Sequence, residues 1–320
     1  MTEMLEIFFC NVGDGDAILL TERRAGRPDY TVLIDAGRPY VDPKNGSLRK
    51  EAIYYLKARG VTRIDRMILT HPHIDHVGGA VRILEQIPVA RLTVPILPPE
   101  DAVWLSPSFE STDKAQNGLR HLLNVMAGIV QTARRCGTEV DAAKDGGEQL
   151  SERLLMTTYL PGTELFDRAK LVYERLYRGV PVSDALVHAV SRERNQTSLM
   201  HRFTYAGRSV LLTGDRYGFD WEAEDVAPCD VLKLPHHGDS KSVTRELIGK
   251  LSPSLAVISC QTDPKKGKDR PSAETLQMVS EVVPAVACTE NREMPGMPAA
   301  THNGVCCRIG EDGRLFWRFE

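Results

Sequence analysis

Apolar positions along the chain alternate between two periods, and the changes of period mark its elements. Residues 4–10 and 16–20 read as strands joined by Asn11-Val12-Gly13-Asp14-Gly15, a turn of residues that accept positive φ, so a hairpin opens the fold. Tyr30 to Ile34 is a β-branched run ending on Asp35, Ala36 and Gly37. Leu48, Ala52, Tyr55 and Leu56 keep helical spacing, with Gly60 as C-cap; a strand at 64–70, a helix at 77–86 and a strand at 91–94 follow. Strand and helix alternate, as layered α/β architectures do.

The middle departs from this rhythm. Leu119, Leu122, Leu123, Val125, Met126, Ile129 and Val130 give 114–135 a long amphipathic pattern, followed by a polar, glycine-containing tail. After a strand at 153–160, a second helical piece spans 164–193, broken near Gly179-Val180-Pro181. Segments 100–150 and 164–193 are therefore expected to be helical insertions, serving as a cap or lid, or covering a sheet edge or dimer face. The β pattern resumes at Thr197–Tyr205 and Ser209–Thr213. The spacing then predicts a helix at 219–225, the run Asp230–Pro235, a helix at 242–250, a strand at 254–259, a helix at 272–281, a strand at 285–288 and a closing hairpin of 304–309 with 314–319. Two sheets under outer helices, a four-layer αββα sandwich forming one α/β domain over 1–320, accommodate this order.

Composition narrows the function classes. A net charge of -3 over 320 residues exerts no global pull on nucleic acid, so a polyanionic substrate needs a local basic patch and metal. The first residues are acidic and run straight into a strand, with neither a leader pattern nor a spanning segment. Seven scattered cysteines without a C-x-x-C pair fit free thiols in a reducing cytoplasm, with adjacent Cys306 and Cys307 packing on opposite strand faces.

The chemistry concentrates in Leu69-Thr70-His71-Pro72-His73-Ile74-Asp75-His76-Val77-Gly78-Gly79. Neutral imidazole is the commonest transition-metal ligand and carboxylate suits harder divalent ions. On an irregular strand-to-helix turn, His71 and His73 can aim at one metal, and Asp75 and His76 at a second. A solvated histidine-rich turn is the plain alternative, which four ligand-capable residues within six positions make a poor one. Asp35, Asp215 and the pair His236-His237 also stand where a strand gives way to a loop, so one sheet edge can gather them all. Two ions at roughly 3.5–4 Å share a bridging water; Asp215 suits the bridge because a carboxylate has two oxygens to divide between them.

Thr70 to Gly79, with Leu212-Thr213-Gly214-Asp215 and the later histidine, resembles the metallo-β-lactamase superfamily. Cys10 to Leu19, Asn195-Gln196-Thr197-Ser198-Leu199, and Leu232-Lys233-Leu234-Pro235-His236-His237-Gly238 look more narrowly like the hydrolase domain of the ComEC competence proteins, tied to DNA uptake. The likeness implies a metallo-β-lactamase-like sandwich in which His71 and His73 bind one metal, Asp75 and His76 the other, and Asp215 bridges. His236, preferred to His237, completes the second site, and Asp35, with Asp16 as a weaker candidate, orients ligands from behind. Many superfamily members bring a histidine to the first metal where this chain has Asn195; ComEC-like sequences lack it too. Asn195 could lend an amide oxygen, which favours manganese over zinc, or could simply end a turn. Arg270 stands where relatives often have Gly-His-Pro and could touch a phosphate, helped by Lys268 in the loop Lys265-Lys266-Gly267-Lys268-Asp269-Arg270, unless that loop is merely solvated. His302 could reach the rim as a proton donor or be a surface-turn histidine, while His188 and His201 read as structural.

The expectation is a cytoplasmic phosphodiesterase or nuclease using two divalent ions, zinc or manganese, and a metal-bound hydroxide against DNA, RNA or a nucleotide. Hydrolysis of a small ester, lactone or thioester is the first rival, separable by activity on acyl esters. A non-catalytic partner or sensor keeping the fold is the second, opposed by the intact ligand string.

Overall fold

Strand after strand in this chain is apolar at consecutive positions, and the architecture explains why. A computed structural model describes residues 3–43, 47–105, 114–261, 270–293 and 298–320. The first elements are β1 (Met4–Cys10), β2 (Ile18–Arg23), β3 (Tyr30–Ile34), α1 (Ala52–Ala58), β4 (Ile64–Ile68), α2 (Ile74–Val77), α3 (Ala80–Gln86) and β5 (Val89–Val94). Next come α4 (Lys114–Arg135), β6 (Glu139–Ala142), β7 (Gly146–Gln149), β8 (Leu155–Tyr159), α5 (Thr163–Tyr177) and α6 (Asp184–Arg192). The remainder is β9 (Met200–Tyr205), β10 (Arg208–Leu212), β11 (Val231–Lys233), α7 (Arg245–Leu251), β12 (Leu255–Ile258), α8 (Ala273–Val282), β13 (Ala285–Cys288), β14 (Gly304–Gly310) and β15 (Leu315–Phe319). One sheet runs β15-β14-β1-β2-β3-β4-β5-β6 and the other β13-β12-β11-β10-β9-β8-β7.

Alternate residues of each strand enter different cores. Leu5, Ile7 and Phe9 of β1 meet Phe203, Val210 and Leu212 between the sheets, whereas Phe8 and Cys10 face the layer of α1, α3 and α4. Leu211 and Leu232 turn the other way, onto α7 and α8. Sheets covered on both faces need apolar residues at every position, and each fully buried phenylalanine such as Phe9 or Phe203 contributes about 1.5–3 kcal/mol. Cys306 and Cys307 part as expected, one into the helix-side core and one between the sheets, and none of the seven cysteines is in a disulfide.

Segment 100–150 holds more than a helix. The C-terminal half of α4 packs Met126, Ile129, Val130 and Ala133 against the first sheet, while Leu119 and Leu123 of its N-terminal half, with Ala127, receive α5 and α6. The polar tail after α4 forms β6 and β7, the edge strands of the two sheets, where half-exposed positions tolerate charge. The helix expected at 219–225 is instead a single 3-10 turn, Gly218–Asp220. Gly218 N–H is drawn to Ser242 O (2.8 Å) and Glu224 turns back to Arg216, so the chain cannot continue as a helix.

Strands β3 to β6 run parallel, and so do β10 to β13. The carboxyl ends of both sets emerge at the crevice where ligands of open α/β sheets are held.

Candidate metal centre

The local fold of the histidine string follows from its glycines and from Asp35. His73 is the extended N-cap of α2, and the Gly78-Gly79 pair separates α2 from α3. A Cβ on Gly79 would lie 2.2 Å from Ala36 O, and one on Gly15 2.4 Å from Asp75 O, so the loops after β1 and β3 press directly on the string. Asp35, fully buried with φ 58°, accepts from Thr70 N (2.8 Å), Thr70 Oγ1 (2.7 Å) and His76 Nδ1 (2.7 Å). Those three bonds fix the His76 ring so that Nε2 points at Asp215 Oδ1, 3.2 Å away.

Asp215 sits at the meeting point. Its backbone N–H donates to Ser198 Oγ (3.2 Å), and Leu199 N–H donates to Thr70 O (3.0 Å), which ties the Asn195–Leu199 stretch to the string. Oδ1 of Asp215 faces His76 Nε2 and His237 Nε2 (3.6 Å); Oδ2 faces His71 Nε2 (3.6 Å). The His71 ring in turn meets His73, Nε2 to Nδ1, at 2.9 Å. His71, His76 and Asp215 thus converge, and so do Asp75, His76 and His237.

The two neighbouring histidines are separated by backbone. His236 and His237 both take positive φ (46° and 56°) and are followed by Gly238 at 74°, a run that costs on the order of 1–3 kcal/mol per non-glycine residue. His237 is turned inward: Nδ1 meets Ser259 O (3.1 Å), which leaves Nε2 buried, unbonded and 3.8 Å from Asp75 Oδ2. His236 has its Nε2 engaged by Arg270 and by Asn195 Nδ2 (3.0 Å), with Nδ1 2.5 Å from Asp239 Oδ2. His236 Nε2 stands 3.9 Å from Asp215 Oδ2, but its lone pair is taken. The expectation placed His236 at the second site; the structure brings His237 to Asp75 and His76 and leaves His236 beside Asp215 Oδ2. Asn195 stays beside this group, its Oδ1 buried without a partner.

Asp16 behaves differently from the other carboxylates. Lys233, 0% exposed on β11, donates to Asp16 Oδ2 and to Gly214 O (3.1 Å). Burial alone would push Asp16 up, but Lys233 and then His76 and His237 hold it below the usual carboxylate range. Arg38 and Arg270 ring the mouth. Arg38 reaches Asp75 Oδ2 (3.5 Å) and Asp14 Oδ2 (3.3 Å), and Arg270 lies 3.9 Å from Asp14 Oδ1. Lys233, Arg38 and Asp14 escape sequence reading because each acts through partners distant in the chain; a lone lysine within an apolar strand was the available signal. His302 does not reach the group. Its ring stacks on Phe319 at 4.3 Å, and no hydrogen bond or ion pair of the described residues links it to the cluster. Lys268 lies outside the described residues. His201 is structural, paired with Thr158 and depressed to about 3 by burial.

Electrostatics and vacant lone pairs both suit cations. Burial depresses His71, helped by His76 and His73, and lowers His73 to about 4. Burial also disfavours charge on His76, but Asp215 and Asp35 more than reverse this and raise its pKa, so a cation at Nε2 would take the place of a proton these carboxylates already favour. Asp215 is lifted by burial and drawn well below its ordinary range by His76 and His237. His76 Nε2, His237 Nε2 and Asp215 Oδ1 are buried with no hydrogen-bond partner. Such atoms are costly to bury unless they coordinate something, so the donor set fits divalent metal. No helix of the described residues is long and apolar enough to cross a membrane.

Known proteins resemble this chain over most of its length. ComE operon protein 3 of Bacillus subtilis is 27% identical over 275 residues, covering 79% of this chain and 28% of that protein. Recombination protein 2 of Haemophilus influenzae is 23% identical over 253 residues, 78% of this chain and 23% of that protein. The chain thus spans about a quarter of the length of these relatives, and the ComEC likeness read from its motifs stands. The metallo-beta-lactamase fold protein YhfI from Bacillus subtilis superposes over 99% of this chain and 100% of its own, with TM-score 0.50 and 11% identity, which speaks to fold alone. The profile of the metallo-beta-lactamase superfamily matches residues 11–262. With that match, the two-sheet fold and the His/Asp cluster together, the chain belongs to the metallo-β-lactamase superfamily, as a metal-dependent hydrolase of ComEC-like type.

Proposed function

We propose that this chain is a two-metal phosphodiesterase acting on nucleic acid. The observation that carries the reading is the division of Asp215 between two imidazole groups, His76 and His237 at Oδ1 and His71 at Oδ2. His71, His73 and Asp215, with the free Oδ1 of Asn195, would hold one divalent ion; Asp75, His76, His237 and Asp215 would hold the other. Zinc and manganese both suit such a set, and the amide oxygen tilts the first site toward manganese. Bound there, the ions supply Lewis acidity and lower the pKa of water toward neutrality.

The protein's own groups do the rest. Asp35 and Ser259 O fix the tautomers and ring planes of His76 and His237, so neither imidazole must reorient on binding. Arg38 and Arg270, bracketing Asp14, are placed to take the anionic oxygens of a phosphodiester, which a neutral ester or lactone would not need. The relative named as a recombination protein favours nucleic acid as the source of that phosphodiester. Helices α5 and α6, docked on α4 and leading through Arg194 into Asn195, act as a cap that limits what enters.

The test is a screen of single-stranded DNA, RNA, dinucleotides and acyl esters with zinc- or manganese-loaded protein, using Asp75→Ala and Asp215→Ala as controls. Phosphodiester cleavage that both substitutions abolish is the expected result. Ester hydrolysis alone, or full activity in Asp215→Ala, would reject the reading.

A further inference from the structure

The chain that leaves Asp215 carries two aromatic rings to the edge of the cluster. Tyr217 stands edge-on to His236, ring centroids 4.8 Å apart at 90°. Phe219 lies parallel to Tyr217 at 5.4 Å and 9°. Tyr217 is half-buried, with its hydroxyl 3.4 Å from Asn195 Nδ2, while Phe219 is 55% exposed. The stack therefore has one face covered by protein and another open to water.

An exposed phenylalanine taken singly needs no explanation. This one is different in two respects. It continues a ladder of rings that starts at His236, whose Nε2 faces Asp215, and the same His236 nitrogen is bonded by Arg270. A flat π-surface, through Tyr217, and a guanidinium, directly, thus both adjoin His236. Flat π-system and anion joined at short range is the chemistry of a nucleotide unit, a base tethered to a phosphodiester. A purely apolar partner would have no use for the cation, and an inorganic anion none for the ring.

We infer that Phe219 is a stacking platform for a base of single-stranded nucleic acid, with Arg270 on the adjoining phosphate and the scissile phosphodiester at Asp215. The inference rests on the phosphodiesterase reading and adds its substrate class. Every base has a π-face, so the platform binds without sequence preference, and a paired base inside a duplex cannot reach it. Tyr217, locked by Asn195 and His236, holds the platform at a fixed distance from the cluster.

The experiment uses metal-loaded protein and short single strands, DNA and RNA in parallel, each carrying 2-aminopurine or an abasic residue beside the cleaved linkage. Stopped-flow fluorescence should show quenching on binding, before cleavage, in the wild type. Phe219→Leu should lose the quench and Phe219→Trp regain it. The Leu variant should also bind the base-bearing strand about tenfold more weakly, a loss carried by KM. Its preference for base-bearing over abasic strands should collapse toward one. If Phe219→Leu keeps both the quench and the preference while cleavage continues, the stacking role is wrong and the phosphodiesterase reading survives. If the wild type cleaves no strand of either sugar, that reading fails and this inference with it.

Discussion

Replacing Lys233 with methionine removes a charge from the floor of the site while nearly keeping its volume. Lys233 and Asp16 are 0% and 1% exposed, and the pair joins β11 of one sheet to the loop between β1 and β2 of the other. Without the ammonium, Asp16 is a buried carboxylate among like charges, since it already disfavours ionisation of Asp35 and is itself disfavoured by Asp215. Removing one partner of a buried ion pair costs about 3–5 kcal/mol. At about 2 °C per kcal/mol for a chain of this size, the melting midpoint should fall by about 6–10 °C. Equilibrium urea unfolding in EDTA is the assay, because bound metal would stabilise the native state and mask part of the loss. The double variant Lys233→Met with Asp16→Leu should recover most of the stability, since neither charge is then left alone. A single variant within about 1 kcal/mol of wild type, or a double variant as unstable as the sum of its parts, would show that the pair does not act as argued.

Other expectations concern the metals and the surface. His237→Ala should lower the metal content by about one ion per chain, measured by elemental analysis of the dialysed protein, whereas His236→Ala should retain both; the opposite pattern would restore the expectation read from sequence. Asp35→Asn should weaken metal binding about 10–100-fold by loosening His76, as read by chelator competition. Burial raises Glu320, but Arg59 and Arg318 outweigh it and hold the carboxyl at about 2, with Glu6 lowered beside it. A carboxyl depressed in the folded state stabilises above its unfolded value and loses that contribution as pH falls toward the folded one. Wild-type stability should therefore drop between about pH 5 and 2 more steeply than that of Arg59→Met. The difference should shrink in high salt, because Arg318 is exposed and Glu320 only partly buried.

The parts of the site legible in the sequence are those that local chain fixes. The string His71 to His76 is recognisable because its ligands and its breaking glycines are contiguous. Asp35 and Asp215 are recognisable because each ends an apolar strand. The approach of His237 to Asp75 and His76 was not legible, since it depends on two successive left-handed residues. Lys233 and Arg38 were hidden for another reason: an ion pair between residues 217 positions apart leaves no periodic trace. His302 was misplaced because proximity of β14 to β1 brings it to the first sheet's edge, where Phe319 captures its ring. Strands β6 and β7 escaped because edge strands need little apolar patterning.

The order in which the site is assembled has a consequence for synthesis. Asp35 and the histidine string are made before Asp215, Lys233 and His237, which follow or lie on strands of the second sheet. A nascent or truncated polypeptide ending before them holds His71, His73, Asp75 and His76 without Asp215 or His237. Completion of the second sheet is thereby made a condition for gathering the whole group.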